Sequence, residues 1–266
     1  MRSWLPQSIG STIRLKRHIT AVICSLCCLL STPALAGQVA IIIDDIGYRY
    51  TDNNVLKLPS SVTLSILPHT KIGGQLAQIA HHQGHEIMVH LPMQALNGQK
   101  LGPGGLTNNM TEEQIKQSIQ ASVRSVPNAV GVNNHMGSLL TQLADPMAWV
   151  MQELKQQELF FVDSITTRYS KAAEQANQQG IPLLTRQVFL DNRLDTESLE
   201  KQFSQMINMS HQQGYVVMIA HPHPQTISFL QANLHRLNQE GISLVPVSML
   251  LPYKLALKQA QTKPSS

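Results

Sequence analysis

Short apolar runs recur along the chain, and five of them stop abruptly on a side chain able to do chemistry. Ile41-Ile42-Ile43 runs into Asp44-Asp45, Ile87-Met88-Val89 into His90, and Val130-Gly131-Val132 into Asn133-Asn134-His135. Phe160-Phe161-Val162 runs into Asp163, and Val216-Val217-Met218-Ile219-Ala220 into His221-Pro222-His223. A short run without polar alternation is the pattern of a strand buried on both faces, as in a parallel sheet covered by helices. Strands are predicted near residues 39–43, 62–67, 86–90, 129–133, 159–163, 182–189, 215–220 and 243–247.

The segments between the runs have helical period. Ile115, Ile119, Val123 and Val126 share one face, as do Leu199, Phe203, Met206 and Ile207, and again Ile227, Leu230, Leu234 and Leu237. Thr111 with Gln114 predicts a capping box, Asp145-Pro146 an N-cap followed by a first-turn proline, and Asp195 an N-cap for the longest helix. Four helices end on a glycine before the next run, at Gly84, Gly180, Gly214 and Gly241, where a left-handed cap costs nothing sterically. The helix ending at Gln156-Gln157-Glu158 reaches its strand without one.

Seven or eight βα units in series predict a single-domain α/β barrel. A doubly wound open sheet is the rival, but it would usually carry a glycine-rich phosphate loop after its first strand, where Asp44-Asp45 stands instead. No G-x-G-x-x-G or P-loop pattern occurs, so no nucleotide is expected. In either fold the chemistry collects at the C-terminal strand ends, so the five polar terminations are expected to surround one cleft.

Composition changes the picture at the N-terminus. Residues 1–36 have the form of a secretory signal, with Arg14, Lys16 and Arg17, an apolar stretch from Ile19 to Leu30, and Ala34-Leu35-Ala36 as a small-x-small cleavage site. An uncleaved anchor is the alternative; its core is short for a membrane span. A domain over 37–253 and a polar tail over 254–266 are expected, with the protein periplasmic or secreted.

All three cysteines (Cys24, Cys27, Cys28) lie in the signal, so the mature domain has no disulfide and no thiolate ligand. Four of the twenty basic residues and none of the sixteen acids fall in it as well, which removes the formal charge of +4 from the mature chain. A neutral domain gives no electrostatic case for nucleic acid or an anionic membrane surface as partner.

Carboxylate and imidazole donors without thiolate suit zinc or another divalent first-row ion. Successive side chains on extended backbone alternate faces, so Asp44 and Asp45 are expected to part, one to ligate and the other to act as a base. A metal held by Asp45, His90 and His135 would leave a position for water and acidify it.

These residues resemble the NodB-type carbohydrate deacetylases: Asp44-Asp45 after the first strand, then Gly84-His85-Glu86-Ile87-x-x-His90. Over roughly residues 39 to 250 the chain resembles one branch of them, the divergent polysaccharide deacetylases. The likeness lies in Ile43-Asp44-Asp45-Ile46-Gly47, His90-Leu91-Pro92-Met93, Gly131 to Ser138, Phe161-Val162-Asp163-Ser164, Arg186 to Asn192 and Ala220-His221-Pro222. Two departures stand out. Gln94 occupies the place of the family's second histidine, and Asn133-Asn134-His135 stands where an arginine-proline-tyrosine segment is usual, so His135 is inferred to replace the missing ligand.

The resemblance implies a distorted NodB-like barrel and metal-dependent hydrolysis of an acetyl group on an envelope or extracellular glycan. Asp44 would be the base, Asp45, His90 and His135 the ligands, and His221 the acid, a role His223 could also take. Asn134 would support the site or touch substrate. Asp163 would fix a histidine tautomer, Arg186 would hold Asp44 ionised, and Asp191 would do similar work. His69 is expected near the cleft and His85 at the far strand end.

Two rivals follow. A catalytically inactive module on the same fold would bind a glycan or a cell-envelope protein partner and need no metal. A phosphoesterase would collect cations at the cleft, where the strand ends offer only Arg186.

Overall fold

The computed structural model describes residues 37–255. The predicted signal over 1–36 and the tail beyond residue 255 lie outside them. Among the described residues no helix is long and apolar enough to cross a membrane.

Among the described residues nine strands form one sheet: β1 (Gln38–Ile46), β2 (Thr63–Ile66), β3 (Ile87–Met93), β4 (Ala129–Met136), β5 (Phe160–Asp163), β6 (Leu183–Thr185), β7 (Val188–Phe189), β8 (Tyr215–Ala220) and β9 (Ser243–Leu244). Every ladder is parallel, in the order β6-β5-β4-β3-β2-β1-β8-β7 with β9 beside β1. Helices α1 (Gly73–His82), α2 (Glu112–Ser125), α3 (Ala144–Gln156), α4 (Ala172–Gln179), α5 (Thr196–Gln213), α6 (Pro224–Asn233) and α7 (His235–Gln239) supply the crossovers. This is the curled α/β barrel the βα rhythm predicts.

The barrel is distorted at one seam. The run predicted as a single strand over 182–189 is two strands, β6 paired to β5 and β7 paired to β8, at opposite ends of the sheet path. Arg186 and Gln187 carry the chain across: the Arg186 N–H donates to Asp163 O on one side and the Gln187 N–H to Val217 O on the other.

Strand side chains alternate between two cores. Ile41, Ile43, Val89, Val132, Phe161 and Met218 pack outward under the helices. Ala40, Ile42, Met88, Val162, Val217 and Ile219 fill the barrel interior with Val247 and Leu250. Each strand thereby hands its terminal polar residue to a face fixed by parity.

The cap predictions hold at most positions. Thr111 and Gln114 bond reciprocally, and Asp195 Oδ1 accepts from Ser198 N–H at 2.9 Å. Gly84, Gly180, Gly214 and Gly241 all have positive φ, and Glu158 takes the same conformation (φ 56°) at the one junction without glycine. Asp145 is not an N-cap, because α3 begins one residue earlier and Asp145 lies in its first turn. Residues 250–255 are helical and Lys254 Nζ donates to Leu183 O, so the folded domain runs past the boundary predicted at 253.

Candidate functional site

The interior face ends in a polar layer. Continuing the parity of Ala40 and Ile42 leads to Asp44, that of Met88 to His90, that of Gly131 to Asn133 and His135, and that of Val217 and Ile219 to His221. Register brings neighbours together: His90 pairs with Asn133, and Ile43 with Ala220, one step below Asp44 and His221. Curl does the rest. β1 and β4 stand three strand spacings of ~4.8 Å apart along the sheet, yet Asn133 Nδ2 lies 2.8 Å from Asp44 Oδ1.

Asp45 breaks the alternation expected of it. Its backbone is left-handed (φ 59°) beside a register shift between β1 and β2, so it turns inward with Asp44 instead of outward with Ile43. Both carboxylates therefore meet one imidazole from two sides. Asp44 Oδ2 approaches His90 Nδ1 at 3.7 Å, and Asp45 Oδ1 approaches His90 Nε2 at 3.1 Å. Such a conformation costs a non-glycine residue about 1–3 kcal/mol, and it recurs at the rim in Met136 and in β-branched Ile165.

Asp45 Oδ1, His90 Nε2 and His135 Nδ1 form a compact triangle. Its sides are 3.1 Å, 2.8 Å from Asp45 to His135, and 3.2 Å between the two rings. Three donors ~2.0–2.1 Å from a tetrahedral zinc lie roughly 3.3 Å from one another. Asp45 Oδ1 is also a buried carboxylate oxygen that receives no hydrogen bond from an amide or hydroxyl among the described residues. An anionic oxygen and two imidazole nitrogens at this spacing fit a divalent cation.

A proton does that work in the metal-free protein. Burial alone would lower the His90 pKa, but the charges of Asp44 and Asp45 and the bonds from Asp45 and Asn133 push it up to about 9. Burial works against Asp45 too, yet His135 and His90 hold its carboxyl far below the usual range. Asp44 goes the other way: burial raises it, against the pull of His90, His221 and Asn133.

A second triad stands across the cleft. Asp191 Oδ1 lies 3.0 Å from His221 Nδ1, while Asp191 Oδ2 accepts from the His221 backbone N–H (2.7 Å) and from Thr226 Oγ1 (2.8 Å) in the first turn of α6. This leaves His221 Nε2 facing Asp45 Oδ2 at 3.7 Å. Burial lowers the His221 pKa, and the Asp191 bond and charge more than reverse it. Phe189 packs against the His221 ring (5.1 Å), and His223 follows at 5.9 Å between ring centroids.

Four sequence assignments are revised. Asp163 contacts no histidine among the described residues: it shares the outward parity of Phe161 and accepts from Ile165 N–H and Ser170 Oγ. Arg186 makes no bond to Asp44 and acts on it only through space; it donates to Ser164 O and Ile165 O and so pins the seam where β6 and β7 part. Asn134 points away from the cleft and ties Ser164 N–H to Met136 O. His69 is exposed and does not line the cleft, whereas His85 is buried on Val62 O at 2.9 Å. Gln94 accepts from Asn108 N–H in a loop and offers no ligand to the triangle.

Two features escaped the sequence reading. Asn133 joins Asp44, His90 and Ser65, and only its place in the Asn133-Asn134-His135 run signalled it. Tyr48 and Arg49 line the cleft, a space of about 290 Å³ that also holds Asp45, His135, His221 and His223. Asp52 shapes their turn by accepting from Gly47 N–H and Arg49 N–H. Tyr48 is left 53 % exposed at the mouth.

The model of the family described as divergent polysaccharide deacetylase matches residues 41–251. The chain is 40 % identical to the uncharacterized protein YibQ of Escherichia coli over 84 % of its own length and 70 % of that protein's. It is 36 % identical to an uncharacterized protein of Haemophilus influenzae over 80 % of its length and 76 % of that one's. Among solved structures, an uncharacterized Agrobacterium tumefaciens protein superposes with a TM-score of 0.79 at 22 % identity, covering 82 % of this chain and 91 % of that one. A mutant of BA3943, described as a CE4 family pseudoenzyme with restored enzymatic activity, superposes at 0.52 and 12 % identity over 81 % of this chain and 67 % of that one. These two likenesses speak to the fold.

Proposed function

The chain belongs to the divergent polysaccharide deacetylase family, and from that premise we propose that it is an exported, metal-dependent deacetylase that hydrolyses acetyl groups on a glycan. The observation that carries the reading is the triangle of Asp45 Oδ1, His90 Nε2 and His135 Nδ1, with a buried anionic oxygen at one corner. When bound there, a divalent ion such as zinc supplies Lewis acidity, polarising an acyl oxygen and making water easier to deprotonate.

The chain's own residues supply the proton traffic. Asp44, on the floor of the site, accepts the proton of the attacking water. His221, oriented by Asp191 through Nδ1, gives a proton from Nε2 to the departing amine. The raised His221 pKa keeps that proton available above the ordinary histidine range. The exposed ring of Tyr48 offers a face on which one sugar can stack at the cleft mouth. A cleft of this size suits a short oligosaccharide or a glycan end better than a long polymer face.

The test is metal content and hydrolysis together. The purified domain is expected to retain about one zinc per chain and to release acetate from N- or O-acetylated oligosaccharides. Metal bound with no acetate released from any acetylated glycan, or no metal and no thermal shift on adding zinc, would replace the enzyme with a glycan- or envelope-partner-binding module. That second reading draws on the fold's likeness to a protein described as a pseudoenzyme. Cleavage of a phosphodiester instead would overturn both.

A further inference from the structure

We propose that Asn133 is the positioning residue of this site and uses both ends of its amide: the oxygen sets His90 as a ligand, and the nitrogen holds Asp44 as a proton acceptor. The first half stands on geometry alone; the second rests on the deacetylase reading.

Asn133 is wholly buried on β4, directly opposite His90 in register. Its Oδ1 lies 2.8 Å from His90 Nδ1 and accepts from Ser65 Oγ at 2.6 Å. Its Nδ2 donates to Asp44 Oδ1 at 2.8 Å and to Oδ2 at 3.0 Å. Both lone pairs of the amide oxygen are engaged, one amide hydrogen is shared between the two Asp44 oxygens, and a carboxylate, which only accepts, fixes which end faces Asp44.

The consequence for His90 follows from tautomer logic. A carbonyl oxygen on Nδ1 requires the proton there, which leaves the Nε2 lone pair aimed at Asp45 and His135. The opposite tautomer would point an N–H into the place of the cation. The consequence for Asp44 is orientation: one planar group grips both oxygens and keeps the carboxylate in the polar layer against the cost of burial. Few side chains can replace it. Aspartate lacks the donor, serine the reach, and glutamine is a methylene too long for a filled site.

Two substitutions separate the halves. Asn133→Ala removes both and is expected to weaken zinc binding by roughly 10–100-fold, measured by titrating the metal-free protein. Asn133→Asp keeps the acceptor on His90 and is expected to bind zinc no more weakly than the unchanged protein, while kcat on an acetylated glycan falls on the order of 100-fold with KM unchanged. Histidine 15N shifts of the unchanged protein, read first without zinc and then with it, provide a reading that does not depend on variants folding: His90 is expected to carry a proton on Nδ1 in both.

Equal zinc affinity in Asn133→Ala and the unchanged protein, or a proton on His90 Nε2 before zinc is added with none on Nδ1, would overturn the ligand half. Unchanged kcat in Asn133→Asp would overturn the Asp44 half. Should the unchanged protein release no acetate at all, the deacetylase reading falls, while the zinc and NMR results still decide the role of Asn133 toward His90.

Discussion

Two clusters in this molecule have the same composition, one aspartate and two histidines, and face each other across one cleft: Asp45 with His90 and His135, and Asp191 with His221 and His223. They differ in how the carboxylate is occupied. Asp191 accepts from a backbone N–H, a threonine hydroxyl and an imidazole, so its charge is spent on local donors. Among the described residues Asp45 Oδ1 meets only two ring nitrogens. A saturated carboxylate orients the histidine beside it, whereas an unsaturated one between two imidazoles attracts a cation. Residue type alone does not separate a metal centre from an acid–base pair; the count of donors on the carboxylate does.

The sharpest way to break this comparison is to remove each carboxylate in turn. Asp45→Ala is expected to lower zinc affinity by more than about 100-fold, since even outer partners of a ligand cost roughly 10–100-fold; a titration of the metal-free domain reads it. Asp191→Asn should leave zinc binding intact and lower kcat by ~10²–10⁴ as His221 loses the partner that sets its tautomer. If Asp191→Asn instead stripped the metal, the two clusters would not be distinct.

A smaller effect concerns protons. With His90 held up to about 9 in the metal-free protein, zinc binding at pH 7 has to displace that proton. Calorimetry in buffers of different ionisation heat is expected to register close to one proton released from this site at pH 7 and progressively less above pH 9. The same shift affects folding. A histidine with a raised pKa contributes stability that is complete below about 6.5 and lost as the pH rises through about 9. The metal-free Tm should therefore fall across that window, by roughly 2–4 °C per kcal/mol for a chain of this length, and the zinc-loaded protein should not follow it.

The smallest effect is expected at His223, which touches His221 only through a ring contact. His223→Ala should change KM by a few-fold and leave zinc affinity alone. A loss of kcat as large as that of His221→Ala would move the acid role to His223.

Strand parity was already legible in the chain. The alternation that places Ile42 and Met88 inside the barrel carries Asp44, His90, Asn133, His135 and His221 to its inner rim, and the same count sends Asn134 and Asp163 outward. Assigning Asp163 to a histidine set that count aside. Arg186 and the split of 182–189 were not legible, because nothing local marks where a strand exchanges one ladder for another.

The apolar runs, the glycine caps and the polar terminations determined a parallel α/β barrel with one cleft at its C-terminal rim, because burial on two faces and left-handed helix ends leave direct marks on residue type. Only the tertiary structure decided which polar ends meet. Asp45 turns inward through a positive φ beside a bulge, and Asn133 reaches Asp44 because the sheet curls across three strand spacings. Both depend on contacts between segments far apart in the chain, and local periodicity carries no record of them.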